Sequence, residues 1–174
     1  GDVTPSLEGY TFDPPKKTYS NLTANQINQD YVATKITYTI SGNAGTSGVT
    51  LSYKDGEDKT ATSDASGNYS LTVSYKWSGT VTPSKVGWTF TPTSIPYTDV
   101  TSNQTNQNYA AAKITFTISG NAGLAGAILH YDDEGYQVAH ADAGGLYSFP
   151  VSYNWSGTVT PSKAGFTFAP DKNT

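Results

Sequence analysis

The chain matches itself. At an offset of 78 residues and without a gap, Lys35 to Pro96 (KITYTISGNAGTSGVTLSY…WSGTVTPSKVGWTFTP) aligns with Lys113 to Thr174 (KITFTISGNAGLAGAILHY…WSGTVTPSKAGFTFAP). Gly1 to Thr34 aligns in the same way with Gly79 to Ala112. A fixed period of this length means that one structural unit is repeated, so any account of the fold must work with the same contacts in each copy.

The register of the repeat divides the chain into three pieces. Residues 1–34 are the C-terminal part of one unit, 35–112 are a complete unit, and 113–174 are a unit lacking its final strand. The positions missing from the third piece are equivalent to Tyr19–Thr34, which stand at the other end of the same chain. Units of this size have marginal cores when alone, so neighbouring units or chains are expected to add stability.

Within the complete unit the dominant pattern is alternation with period two. Ile36, Tyr38 and Ile40 alternate with threonines up to Gly42-Asn43; Val49, Leu51 and Tyr53 follow, then Asp55-Gly56 as a hairpin signal. Lys59–Ser63 reads as a polar edge strand, and Tyr69, Leu71, Val73 and Tyr75 give the clearest half-buried one. Further short strands are expected at Thr80–Pro83, Trp88–Thr91, Tyr97–Thr101 and Gln107–Ala111. No stretch has a helical period. Short strands at this spacing predict an all-β chain of tandem antiparallel β-sandwiches.

Composition excludes several function classes. Ten Lys plus Arg against a net charge of −4 leave no basic stripe for nucleic acid. No apolar run approaches the roughly 20 residues of a membrane span. With no cysteine and no methionine, thiol chemistry is absent. Thirteen tyrosines among abundant Thr, Ser and Gly match the usage of secreted β-proteins, so an extracellular or cell-surface location is expected.

The order G-N-A-G-x-x-G-V-x-L, then D-A-S-G-N-Y-S-L, then V-T-P-S-K-x-G-W-T-F-T-P resembles the carboxypeptidase regulatory-like and Cna B-type repeats of bacterial surface proteins. That resemblance implies Ig-like or prealbumin-like sandwiches serving as stalk or spacer modules, without catalysis. It also implies a possible Lys–Asn isopeptide bond, with Lys35, Lys113, Asn106 and Asn108 at the strand ends. The family's glutamate motif has no match, because Glu57 and Glu134 are not equivalent under the offset.

No acid, base or nucleophile set recurs between units, so no catalytic residue, cofactor or metal is assigned. His130 and His140 replace Ser52 and Thr62 and are expected to face each other across a hairpin, as surface residues rather than metal ligands. Asp55, Asp64, Asp133 and Asp142 recur in turns, where an aspartate more often bonds its own backbone than calcium. Trp77, Trp155, Trp88, Phe166 and Tyr109 are read as core or inter-repeat packing, the alternative being stacking on a surface polysaccharide.

The sharpest expectation concerns Tyr19–Thr34. An incomplete sandwich exposes a sheet edge, and an extended segment from another copy can supply the missing strand, with Tyr19, Leu22, Ile27, Tyr31 and Ala33 as side chains for its pockets. Head-to-tail contacts of this kind, or flanking repeats of one longer chain, make a surface filament or adhesin stalk. The alternative reading is a carbohydrate-binding or accessory module of a secreted enzyme.

Overall fold

The computed structural model describes residues 1–172 and contains strands but no helix. Its strands are β1 (Asp2–Val3), β2 (Tyr10–Asp13), β3 (Lys17–Thr18), β4 (Val32–Lys35), β5 (Thr37–Asn43), β6 (Thr50–Asp55), β7 (Glu57–Thr62), β8 (Asn68–Ser74) and β9 (Trp77–Ser84). There follow β10 (Trp88–Thr91), β11 (Ile95–Val100), β12 (Ala110–Lys113), β13 (Thr115–Asn121), β14 (Ile128–Asp132), β15 (Tyr136–His140), β16 (Leu146–Ser152) and β17 (Thr160–Ser162). They fall into two compact units: Gly1–Lys85 with Phe90–Ala111, and Val86–Thr89 with Ala112 onward.

The first unit contains an antiparallel β-sandwich. One sheet is β5 paired with β8, in register from Thr37↔Ser74 to Asn43↔Asn68. The other has the order β11-β9-β6-β7. Alternation along β8 places Tyr69, Leu71 and Val73 inward and Ser70 and Thr72 outward, as a period-two strand on a half-buried sheet requires. Ile40 of β5, Leu51 of β6 and Val81 of β9 are buried as well, together with Val49, Phe90 and Val100. Short β1–β3 and β2–β4 ribbons precede the sandwich in the same unit.

In the second unit β13 pairs with β16 from Thr115↔Ser152 to Asn121↔Leu146, each pair 78 residues on from its counterpart in β5 and β8. Its second sheet has the order β15-β14-β17. The core is Ala127, Leu129, Tyr131, Ala141, Phe149, Val151 and Val159. Phe149 replaces Leu71 and stacks on Tyr131 with ring centroids 4.2 Å apart, filling the same space with aromatic volume.

The structure differs from the strand expectations in two places. The first strand does not stop at Gly42 but runs through Asn43, because its pairing with β8 continues to Asn43↔Asn68. The expected strand Gln107–Ala111 is displaced: β12 is Ala110–Lys113, and residues 103–109 form an irregular strap with Asn106 at φ 58°.

Candidate functional site

The strap is held by polar groups. Gln104 donates its backbone N–H to Thr39 and accepts from Ser41, both at 2.8 Å; Gln107 N donates to Ser41 at 3.0 Å and Tyr109 N to Asn43 at 2.8 Å. Two side chains complete the set, Asn103 Oδ1 accepting from Thr39 N at 2.9 Å and Asn108 Oδ1 from Asn43 N at 2.8 Å. Thus the outward N–H and C=O groups of Thr39, Ser41 and Asn43 all have partners, which is the condition for covering a sheet edge. At about 0.5–1.5 kcal/mol net for each bond, the strap contributes several kcal/mol to the first unit.

Three tyrosines anchor it. Tyr69 donates its hydroxyl to the Gln107 carbonyl at 2.5 Å, Tyr109 to the Val81 carbonyl at 2.9 Å, and Tyr97 to Gln107 Oε1 at 3.3 Å. Burial pushes the Tyr97 hydroxyl up to about 12 and, with neighbouring tyrosines adding to it, raises Tyr69 and Tyr109 further. The strap runs directly over Gly42, where an added Cβ would lie 2.1 Å from the Gln107 carbonyl oxygen.

A second recurring feature is a joint between each sandwich and the Gly-aromatic segment before it in sequence. In the first unit Ile36 N donates to the Gly9 carbonyl at 2.8 Å, and Tyr75 N to the Ile36 carbonyl at 3.0 Å. In the second, Ile114 N donates to Gly87 and Tyr153 N to Ile114 at the same distances. Gly9 and Gly87 both have φ 78°, and the Tyr75 and Tyr153 side chains pack against them, so a side chain there would be strained. An ion pair closes each joint from a different direction: Lys76 with Glu8 in the first, Lys113 with Glu134 in the second. Exposed pairs of this kind contribute little each.

The tryptophans are in packing positions. Trp77 is buried, donates Nε1–H to the Lys54 carbonyl at 2.7 Å and lies edge-on to Tyr53. Trp155 repeats this on the Asp132 carbonyl at 2.7 Å and edge-on to Tyr131. Trp88 lies on β10 beneath the Lys113 ammonium, and Phe166 is exposed beside Lys163. Tyr109 sits in the core. Of the proposed donor residues, Leu22 and Ile27 are exposed, Ala33 lies exposed on β4, and Tyr19 and Tyr31 are half-buried. The equivalents of Tyr19, Leu22 and Tyr31 are Tyr97 and Val100 on β11 and Tyr109 in the strap, of which Val100 and Tyr109 are buried and Tyr97 half-buried. The counterpart of Ile27, Thr105, is exposed.

The histidines do not face each other. His130 pairs with Val138 and His140 with Ile128, because the hairpin centres on Glu134 rather than Gly135. His130 instead touches the Tyr136 hydroxyl at 2.5 Å and the Ser162 hydroxyl at 2.6 Å. The four turn aspartates accept from backbone: Asp64 from Ser66 and Asn68, Asp142 from Gly144 and Leu146, Asp55 from Ser74 and Asp133 from Ser152. Among the described residues no group of three His, Cys, Asp or Glu side chains could hold a metal ion. Lys113 is engaged with Glu134, and Asn108 with the β5 backbone.

Sequence reasoning missed the joint glycines and the asparagines that bond β5. The recurrence of Gly9 and Gly87, and the N-Q-x-N-Q-[DN]-Y spacing in both copies of the strap, were the signals available.

No family model matches the chain. It is 37% identical over 119 residues to a segment of Chitinase ChiA from Flavobacterium johnsoniae, a match covering 64% of this chain and 7% of that protein. The chain therefore spans a small fraction of the relative it matches. Among solved structures, the Bacillus anthracis TIE protein superposes with a TM-score of 0.57 at 9% identity, over 82% of this chain and 34% of that one. This likeness shows the all-β sandwich fold and nothing further. Among the described residues no helix is long and apolar enough to cross a membrane.

Proposed function

We propose that this chain is a non-catalytic accessory module of an extracellular polysaccharide-degrading enzyme, and that it spaces its sequence neighbours rather than acting on substrate. The observation that carries this reading is the 37% identity to a segment of a chitinase. The filament expected from the sequence has no comparable support. Several large rings are committed to structure instead of standing free for sugar: Trp77 is buried, Trp155 is half-buried and hydrogen-bonded, and Tyr75 packs against Gly9.

A carbohydrate-binding role is the second reading, favoured by the exposed Phe116 and Tyr153 rings, 6.3 Å apart and tilted by 39°. Sedimentation of the purified chain with insoluble chitin separates the two. The spacer reading expects the chain to stay in the supernatant. Retention on chitin that Phe116→Ala with Tyr153→Ala abolishes, without loss of fold, overturns it in favour of sugar binding.

A further inference from the structure

The sheet β15-β14-β17 of the second unit matches its counterpart in the first on the inward face and departs from it on the outward face. Inward, Leu129, Tyr131 and Ala139 are the same residues as Leu51, Tyr53 and Ala61, 78 positions earlier. Outward, Thr50, Ser52, Asp58, Thr60 and Thr62 give way to Ile128, His130, Tyr136, Val138 and His140. The register sets Val138 opposite His130 and His140 opposite Ile128, so the replacements share one face. Core packing does not ask for them, since Tyr136 is 70% and Val138 46% exposed.

Tyr136 and His130 form a fixed pair on this face. The Tyr136 hydroxyl meets His130 Nδ1 at 2.5 Å, and His130 Nε2 meets the Ser162 hydroxyl at 2.6 Å. A neutral imidazole has one donor and one acceptor nitrogen, so both are engaged and the ring is held from two sides. The ring centroids lie 5.8 Å apart and the planes are inclined by 27°. Because the hydroxyl at the tip of one ring touches the edge of the other, the rings lie end to end and close to coplanar, not one above the other. They make an aromatic platform flanked by Val138 and Thr160, both opposite His130 on the neighbouring strands.

We propose that this platform is a stacking site for the sugar rings of a neutral glycan chain. A pyranose presents an apolar face of C–H groups and a rim of hydroxyls, and a flat aromatic surface with polar groups at its margin complements both. Two rings end to end reach beyond one sugar, which suits a linked chain. The carboxylate of Asp132, on the same face, disfavours an anionic polymer. An open platform without a cavity binds weakly, with a Kd of about 1 mM or more, so the chain still stays in the supernatant above insoluble chitin as a spacer does. That the ligand is a glycan rests on the accessory-module reading; the platform itself does not.

An NMR titration of the full chain with a soluble chitin tetrasaccharide tests it, with two variants. Backbone amides of residues 128–140 are expected to shift, while those beside Phe116 and Tyr153 stay in place. Tyr136→Asp and His130→Ser restore the residues that the first unit carries at these positions, Asp58 and Ser52, so both are expected to fold. The first is expected to weaken binding about tenfold or more, and the second, which releases the tyrosine, about threefold or more. No shift at the highest soluble concentration of the sugar overturns the proposal, as does unchanged binding in either variant. Shifts centred on Phe116 and Tyr153 also overturn it, by placing the sugar elsewhere. So do shifts that follow protein concentration instead of sugar, which make this face an interface between copies. The accessory-module reading is tested separately on a parent enzyme, so loss of the platform leaves it standing.

Discussion

At Gly42 the strap passes so close that a single methyl group decides whether it can be seated. Gly42→Ala should cost the first unit about 1–3 kcal/mol or more, read as a lower urea midpoint. Gly120→Ala should cost less, since the nearest atom there is the Tyr147 hydroxyl at 2.7 Å, the end of a side chain that can move. Equal losses from the two would mean that the strap is not what Gly42 accommodates. Trp77→Ala removes a buried ring and leaves the Lys54 carbonyl without its donor; about 3–5 kcal/mol of destabilisation is expected in the same melt. The strap tyrosines predict an alkaline limit. Their pKa values are raised on folding, so the stability they contribute is complete below about pH 10 and falls as pH rises toward and through 12. Absorbance titration should show these hydroxyls ionising late and together with unfolding, whereas simple stepwise ionisation near pH 10 would contradict their burial.

At the scale of elements, the hairpin β6–β7 is fastened to β8 through Asp55, which accepts from Ser74 N, Ser74 Oγ and Lys59. Burial alone would raise this carboxyl, but bonds from Lys59 and Ser74 outweigh it and its pKa lies below the ordinary value. Its contribution is therefore present above about pH 4 and lost as pH falls below that. Asp55→Asn should lower stability at neutral pH and flatten the acid limb of a pH–stability curve; an unchanged limb would show that the staple is not coupled to folding. Strands such as β8 were legible in the sequence because one face is buried and alternation records it. The strap was not, because T-S-N-Q-T-N-Q-N has no apolar alternation: it covers an edge with amide side chains and left-handed asparagines, a solution that leaves no periodic trace. The histidine geometry was misread for a smaller reason, a one-residue error in the hairpin centre, which in a strand moves every cross-strand pair.

Across the molecule, the self-match in the sequence forecast repeated contacts, and the β5–β8 and β13–β16 registers coincide at that offset. The function was less legible, since a repeat with no recurring chemistry points equally to a stalk or to an enzyme's appendage; the chitinase match is what favours the second. Removing the corresponding residues from a parent enzyme should leave turnover of soluble oligosaccharides unchanged and reduce turnover of insoluble polymer. A loss on soluble substrate would contradict a purely spacing role. One property of the strap bears on how such chains behave when crowded. A strand laid against β5 would present a fresh row of donors and acceptors on its far side and so invite another strand. The strap, bent at Asn106 and with its glutamine amides turned back onto its own carbonyls, presents no such row. It ends the sheet that it completes, so this edge of the first unit is no template for pairing with the strands of neighbouring molecules.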